Sequence, residues 1–255
     1  MRLMDTHCHL DYVIEAGKTH SWARAQEVGV KRVLIPAVAK SNWARLAQLA
    51  EETGCYAAYG LHPIAQDEHS QTHLQELERW IKTYPTLAIG ECGLDYAIEA
   101  DRALQREYFA AQLDLAVRYD LPVIVHARKS LDEVLQMVRR FSGVRFVVHS
   151  FTGSNQQLTH LLDLGGYIGV GGTSTYERAQ RLRRQLAEVE ASRYLLETDA
   201  PDQPICGFQG QINEPAKVLA VARTLAQLRH ESVDEIARQS WHNSALFFAL
   251  DRQGV

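Results

Sequence analysis

The chain has 255 residues, of which 46% are hydrophobic and 23% charged, and its formal net charge is −4. That length suits one barrel domain of about 250 residues spanning 1–255. The acidic balance excludes a global basic field for holding long duplex DNA, so a nucleic-acid substrate would have to be gripped locally.

Strand-like and helix-like segments alternate from end to end. The first strand is predicted over Arg2–Cys8. Asp5 and His7 in it interrupt the N-terminus before a signal-peptide core could form. A second strand follows at Arg32–Val38. Then comes a helix over Asn42–Glu52, with Trp43, Leu46, Ala47, Leu49 and Ala50 on one face and Ser41 as its cap. Strands at Tyr56–Leu61 and Leu87–Glu91 lead to a helix at Gln105–Tyr119, capped from Asp101 and carrying Phe109, Leu113, Ala116 and Val117. Pro122–His126 is the fifth strand, and Ser130–Phe141 the helix after it. Strands at Arg145–His149, Tyr167–Val170 and Tyr194–Glu197 follow, with Ser154 as a further helix cap. The segment from Asn213 to Leu250 reads as two or three helices. Eight such units predict an α/β fold, a (β/α)₈ TIM barrel, in preference to an open doubly wound sheet.

Polar residues recur where these strands end. The first strand ends in His7-Cys8-His9, the third runs into His62, and the fourth ends in Glu91. The fifth ends in His126 and the sixth in His149, and Asp199 follows the eighth. In a closed barrel these ends meet at one mouth. His7 and His9, two apart on a strand, face the same side and can grip one metal, while Cys8 faces away. His126 and His149 can grip a second ion, with Glu91 between the two groups as a possible bridge. Asp199 could ligate and accept a proton from water. One histidine after a strand is more often structural, but six candidates at one barrel end reinforce one another. Ligands spread over nearly two hundred residues argue against a closed structural zinc site. Cys8 and Cys92 read as buried packing residues, and the other histidines and the four tryptophans as surface or packing groups. The basic run Arg178–Arg184 reads as a solvated helix face.

The segments DTHCHLD at 5–11, GLHP at 60–63, GECGLDY at 90–96, LPVIVHAR at 121–128, VVHSFTG at 147–153 and LLETDAPD at 195–202 occur in this order. Together they resemble the TatD-type metal-dependent deoxyribonucleases, within the amidohydrolase-like TIM barrels. GFQGQ at 207–211 is similar to the YjjV-type branch. The resemblance implies that His7, His9, Glu91 and Asp199 hold one metal and that Glu91, His126 and His149 hold the other. It also implies that Arg128 clamps a substrate phosphate and that His62 contacts substrate or supports a ligand. The chain departs from many relatives at 207–212, where a basic stretch before Asn213-Glu214-Pro215 is missing.

The expected activity is therefore hydrolysis of phosphodiesters by a 3′-5′ exonuclease-like deoxyribonuclease. Asp199 and Glu91 would be its catalytic groups, and its substrate would be DNA ends or short oligonucleotides. The alternative is an esterase, lactonase or deacylase, including one acting on aminoacyl-tRNA, at the same site. Two divalent cations are expected, from among zinc, magnesium, manganese and nickel. Four cysteines without a CxxC pattern, and no run of roughly 20 apolar residues, point to a cytoplasmic protein with no membrane partner, and the lack of an exposed heptad or apolar stripe points to a monomer.

Overall fold

The structure, a computed structural model, describes residues 1–250. Eight parallel strands follow one another in chain order and alternate with helices, which makes the fold a (β/α)₈ barrel. The strands are β1 Leu3–Asp5, β2 Val30–Pro36, β3 Tyr56–Tyr59, β4 Ala88–Asp95, β5 Val123–Arg128, β6 Phe146–Val148, β7 Tyr167–Val170 and β8 Tyr194–Leu196. The helices are α1 Leu10–Glu15, α2 Ser21–Glu27, α3 Lys40–Thr53, α4 Gln71–Thr83, α5 Arg102–Arg118, α6 Leu131–Val138, α7 Asn155–Asp163, α8 Gln180–Glu188, α9 Val218–Arg229 and α10 Val233–Phe247. Among the described residues no helix is long and apolar enough to cross a membrane.

The described residues form two compact units. One comprises Met1–Ile35, Ser150–Asn155 and the chain from Tyr167 onward. In it β1 pairs with β2 through Leu3↔Val30 and Asp5↔Val33, and β7 pairs with β8 through Ile168↔Tyr194 and Val170↔Leu196. Strand β1 is also tied to the end of β8, because the Thr6 N–H donates to the Leu196 carbonyl at 3.0 Å. Leu3, Val33, Leu195, Val221, Leu225 and Ile236 are fully buried, so the apolar stripes of α9 and α10 close over this part of the sheet.

The second unit comprises Pro36–His149 and Gln156–Gly166. Its strands pair β3 to β4 to β5 to β6. β4 is buried along its whole length, as strands of a parallel sheet covered on both faces usually are. Helix α5 brings two buried amides to the strand ends. Gln112 accepts from the Leu61 N–H and donates to the Leu61 carbonyl, while Gln105 accepts from the Asp95 N–H and donates to its carbonyl. These pairs satisfy main-chain groups that the loops would otherwise leave buried and unbonded.

Several sequence expectations need correcting. Ser41 does not cap its helix. α3 starts at Lys40 with Ala39 at the cap, and the Ser41 hydroxyl donates to Glu68 instead. Val117 is 42% exposed and is not on the buried face of α5. The strand proper of β1 ends at Asp5; beyond it the Cys8 N–H still donates to the Leu34 carbonyl at 3.1 Å and Cys8 bridges Ala200, before the chain turns to start α1. β4 runs four residues beyond Glu91, to Asp95, and β5 runs on to Arg128. Asp101 caps α5 as expected, accepting from the N–H groups of Ala103 and Leu104. Trp43, Trp80 and Trp241 are packing groups. Trp43 donates to the Gly60 carbonyl beside Tyr59 and Trp80, and Trp241 lies under Arg2 and Arg32.

Candidate metal centre

The β1 and β8 ends carry one cluster. The Asp199 N–H donates to the His7 carbonyl at 2.8 Å, and the His9 N–H donates to the Ala200 carbonyl at 2.8 Å. This zipper holds three side chains together. Asp199 Oδ1 lies 3.3 Å from His7 Nε2 and 3.8 Å from His9 Nε2. Asp199 has a φ of 56°, in the left-handed region that aspartate tolerates better than most residues. Its other oxygen, Oδ2, accepts from Gln203 Nε2 at 2.6 Å. Gln203 thereby fixes the carboxylate with Oδ1 turned to the imidazoles. The loop is held from below by Asn213, whose buried amide donates to the carbonyls of Thr198, Asp202 and Gln203. The next residue, Glu214, pairs with Arg24 and Lys18. Beneath His7, burial pushes the Asp5 carboxyl well above the usual carboxylate range. It accepts from Thr198 Oγ1 and from the Thr198 and His7 N–H groups.

The ends of β3, β4, β5 and β6 carry the second cluster. Glu91 Oε1 has three imidazole nitrogens around it: His149 Nε2 at 2.8 Å, His126 Nδ1 at 2.9 Å and His62 Nε2 at 2.9 Å. His126 Nδ1 and His149 Nε2 are 3.3 Å apart. Glu91 is 2% exposed, so this carboxylate meets its partners away from bulk water. Gly93, at φ 143°, permits the close pairing of β4 and β5. A Cβ there would run into the backbone of His126.

Proton positions follow from the hydrogen bonds. Burial pushes the Asp95 carboxyl up, but hydrogen bonds from His126 and the Ala97 N–H, with the charges of His126 and Arg128 nearby, outweigh it and hold it below its ordinary value. Ionised Asp95 can only accept, so His126 Nε2, 3.1 Å from Asp95 Oδ2, carries a proton. Burial works against charge on His126, but its hydrogen bonds to Asp95 and Glu91 outweigh it and push the pKa above its ordinary value; when the ring is neutral, its Nδ1 lone pair faces Glu91 and His149. His62 is set the opposite way. Its Nδ1 accepts from the Ile64 N–H at 2.9 Å, and burial lowers its pKa against the pull of Glu91, so the neutral ring keeps its proton on Nε2 and donates to Glu91. His62, Glu91 and His126 lie close enough to share an ion. In that tautomer His62 is a hydrogen-bond donor to Glu91.

These residues fit a divalent cation. The donors are imidazole nitrogens and carboxylate oxygens, a set that suits zinc, manganese or nickel. The spacings of 2.8 to 3.8 Å within the two clusters are those of neighbouring ligands around an ion with bonds of roughly 2.1 Å. A lone pair aimed at a carboxylate oxygen is repulsive until a proton or a metal cation stands between them. His126 further has the carboxylate partner that metal-bound histidines usually possess.

Sequence reasoning missed Asp95, Gln203 and Asn213. Asp95 lies on β4 four residues after Glu91, a spacing that keeps two side chains on one face of a strand, and that was its signal. Arg128, expected to face substrate, is 63% exposed with Nη1 3.8 Å from Asp95 Oδ2. Cys92 is packing, as expected, with its thiol against the Ile124 carbonyl and its pKa pushed up by burial.

A family model described as TatD related DNase matches residues 4–249. An uncharacterized metal-dependent hydrolase of Escherichia coli K12, YjjV, is 42% identical over 97% of this chain and 98% of its own length. The crystal structure of YjjV, described as a TatD homolog, superposes with a TM-score of 0.91 at 41% identity, covering 97% of this chain and 98% of that one. A Pantoea ananatis protein described as a 3′-5′ ssDNA/RNA exonuclease, TatD, is 33% identical over 89% of this chain and 92% of that protein.

Proposed function

Because this chain belongs to the TatD family of metal-dependent hydrolases, we propose that it is a phosphodiesterase trimming DNA ends or short single-stranded oligonucleotides, 3′-5′ exonuclease-like, with two divalent cations at its site. The observation that carries the reading is the convergence of His126 Nδ1 and His149 Nε2 on Glu91 Oε1, beside a His62 whose proton is turned to the same oxygen. The name of the Pantoea relative supports the choice of nucleic acid. The chain would act as one hydrolase domain of this barrel fold.

His7, His9, Glu91 and Asp199 would hold one cation, and Glu91, His126 and His149 the other. Such ions supply Lewis acidity and a water made acidic enough to attack at neutral pH. The chain's own residues do the rest. Asp95 keeps the His126 proton on Nε2, and His62 holds Glu91 in place by its donated proton. Asp199, anchored by Gln203 through one oxygen, takes the proton of the attacking water on the other. Arg128, exposed at the end of β5, pairs with a substrate phosphate, for which its fork of donors is suited. The protein acts in the cytoplasm as a monomer.

A second reading, an ester, lactone or aminoacyl bond as the target, is favoured by one observation. The stretch at 207–212 carries no cation, and it presents Phe208 and Ile212 partly exposed. Manganese- or zinc-loaded protein should shorten an end-labelled single-stranded oligonucleotide stepwise, and an Asp199→Ala variant should not. Cleavage of an aryl ester with every phosphodiester left intact would replace the first reading by the second.

A further inference from the structure

A cavity of about 410 Å³ opens among the loops that follow β6, β7 and β8. This lies in the range of small-ligand pockets, roughly 300–1,000 Å³. Its wall includes Thr152, Thr173, Tyr176, Arg178, Arg181 and Gln203, and none of its lining residues is acidic. Gln203 is the residue whose amide holds Asp199 Oδ2, so the cavity shares a side chain with the candidate metal centre.

The cationic side is organised. The Tyr176 hydroxyl donates to the Pro204 carbonyl at 2.8 Å, which fixes the ring, and the Arg178 guanidinium lies 5.0 Å from its centroid. One nitrogen of Arg181, Nη2, donates to the Thr152 carbonyl at 2.9 Å. That bond orients a guanidinium that is otherwise open to solvent. Leu182 and Pro204 supply apolar surface between these groups. The pocket therefore offers two oriented cations, a fixed aromatic ring and apolar side chains beside the centre, in a chain whose net charge is −4.

We propose that this cavity seats the nucleotide next to the scissile bond of a single-stranded substrate, with Arg178 and Arg181 on its flanking phosphates and the Tyr176–Leu182 surface under its base. The proposal rests on the nuclease reading and names where the substrate's second unit goes. It also answers the missing basic stretch at 207–212: the positive charge comes from α8 and the turn before it.

The test is binding, separate from turnover. Protein stripped of metal by chelator is titrated into a fluorescein-labelled thymidine hexamer between 50 and 200 mM salt and followed by anisotropy. Losing two phosphate contacts on a single strand should flatten the slope of log affinity against log salt by about 1.4. The Arg178→Ala/Arg181→Ala variant should show that change and bind about tenfold more weakly at the lower salt. Arg178→Lys/Arg181→Lys should keep the slope. Arg139→Ala/Arg140→Ala, an equal charge loss at two exposed residues after α6, should match wild type. Should the double alanine variant melt early, single Arg178→Gln and Arg181→Gln replacements each lose half the slope change. Wild-type slope and affinity in the alanine variant, equal loss in the Arg139/Arg140 variant, or no binding of the hexamer by wild type would each overturn the proposal. The nuclease reading is judged separately, by hydrolysis of bis(p-nitrophenyl) phosphate by metal-loaded wild type.

Discussion

Replacing Asp95 by asparagine keeps the shape of the side chain but should break the metal centre. Asp95 uses both oxygens: Oδ1 accepts from the Ala97 N–H at 2.9 Å and Oδ2 from His126 Nε2 at 3.1 Å. An asparagine has one acceptor for these two donors. With its oxygen toward Ala97, its NH₂ faces His126 Nε2, which must then accept. The ring proton moves to Nδ1, where a lone pair is needed for the metal. With the amide reversed, two donors meet at Ala97, at a cost of about 1–3 kcal/mol. Either route weakens binding. Loss of a carboxylate behind a ligating histidine costs roughly 10- to 100-fold in metal affinity, or about 1.4–2.7 kcal/mol. Asp95→Asn should therefore be no milder than Asp95→Ala. Competition with a chromophoric chelator measures the affinity, and long-range ¹H–¹⁵N spectra of the metal-free protein report the ring proton. An Asn variant within twofold of wild type, with the proton still on Nε2, would refute the reasoning.

His62→Ala should retain its full complement of metal while losing roughly 10- to 100-fold in kcat, the worth of a hydrogen bond to a charged group, whereas His126→Ala should lose metal outright. Metal analysis beside steady-state kinetics separates the two. Asn213→Ala leaves the carbonyls of Thr198, Asp202 and Gln203 without their shared donor. It should cost about 2–3 kcal/mol in urea unfolding and should reduce activity through the loop of Asp199; unchanged stability would show that the loop holds itself. Glu78 is held at about 2 by hydrogen bonds from Tyr119, Arg118 and Lys82. A depressed carboxyl stabilises the fold above its ordinary range, and the effect fades as pH falls toward 2. Glu78→Gln should thus be less stable than wild type at pH 7, with the gap narrowing between pH 5 and 3; a gap that widens on acidification would reverse the sign and remove Glu78 from this role.

The sequence alone determined the barrel and the positions of its strand-end ligand candidates. Alternating apolar strands and amphipathic helices are local patterns, and polar residues closing one strand after another stand out against them. His7, His9, Glu91, His126 and His149 could be read this way because each lies in or just after an apolar strand run, although His7, His9 and His149 stand beyond the strands proper. Helix starts were less legible. Ser41 has the chemistry of a cap, yet the helix begins two residues earlier than expected, at Lys40. Only the tertiary structure decided which nitrogen of each ring faces Glu91. The Ile64 N–H leaves the His62 proton on Nε2, toward Glu91, and the Asp95 carboxylate holds a proton on His126 Nε2, so that in the neutral ring Nδ1 is the nitrogen with the lone pair. The same holds for Gln203 and Asn213, which look like ordinary loop residues until the fold sets their amides on Asp199 and its neighbours. Arg128, on the same strand face as His126, proved also to lie near Asp95. Strand period says which side of a strand a residue occupies. Hydrogen-bond direction and proton position depend on partners brought in from other strands and loops, and no local pattern encodes them.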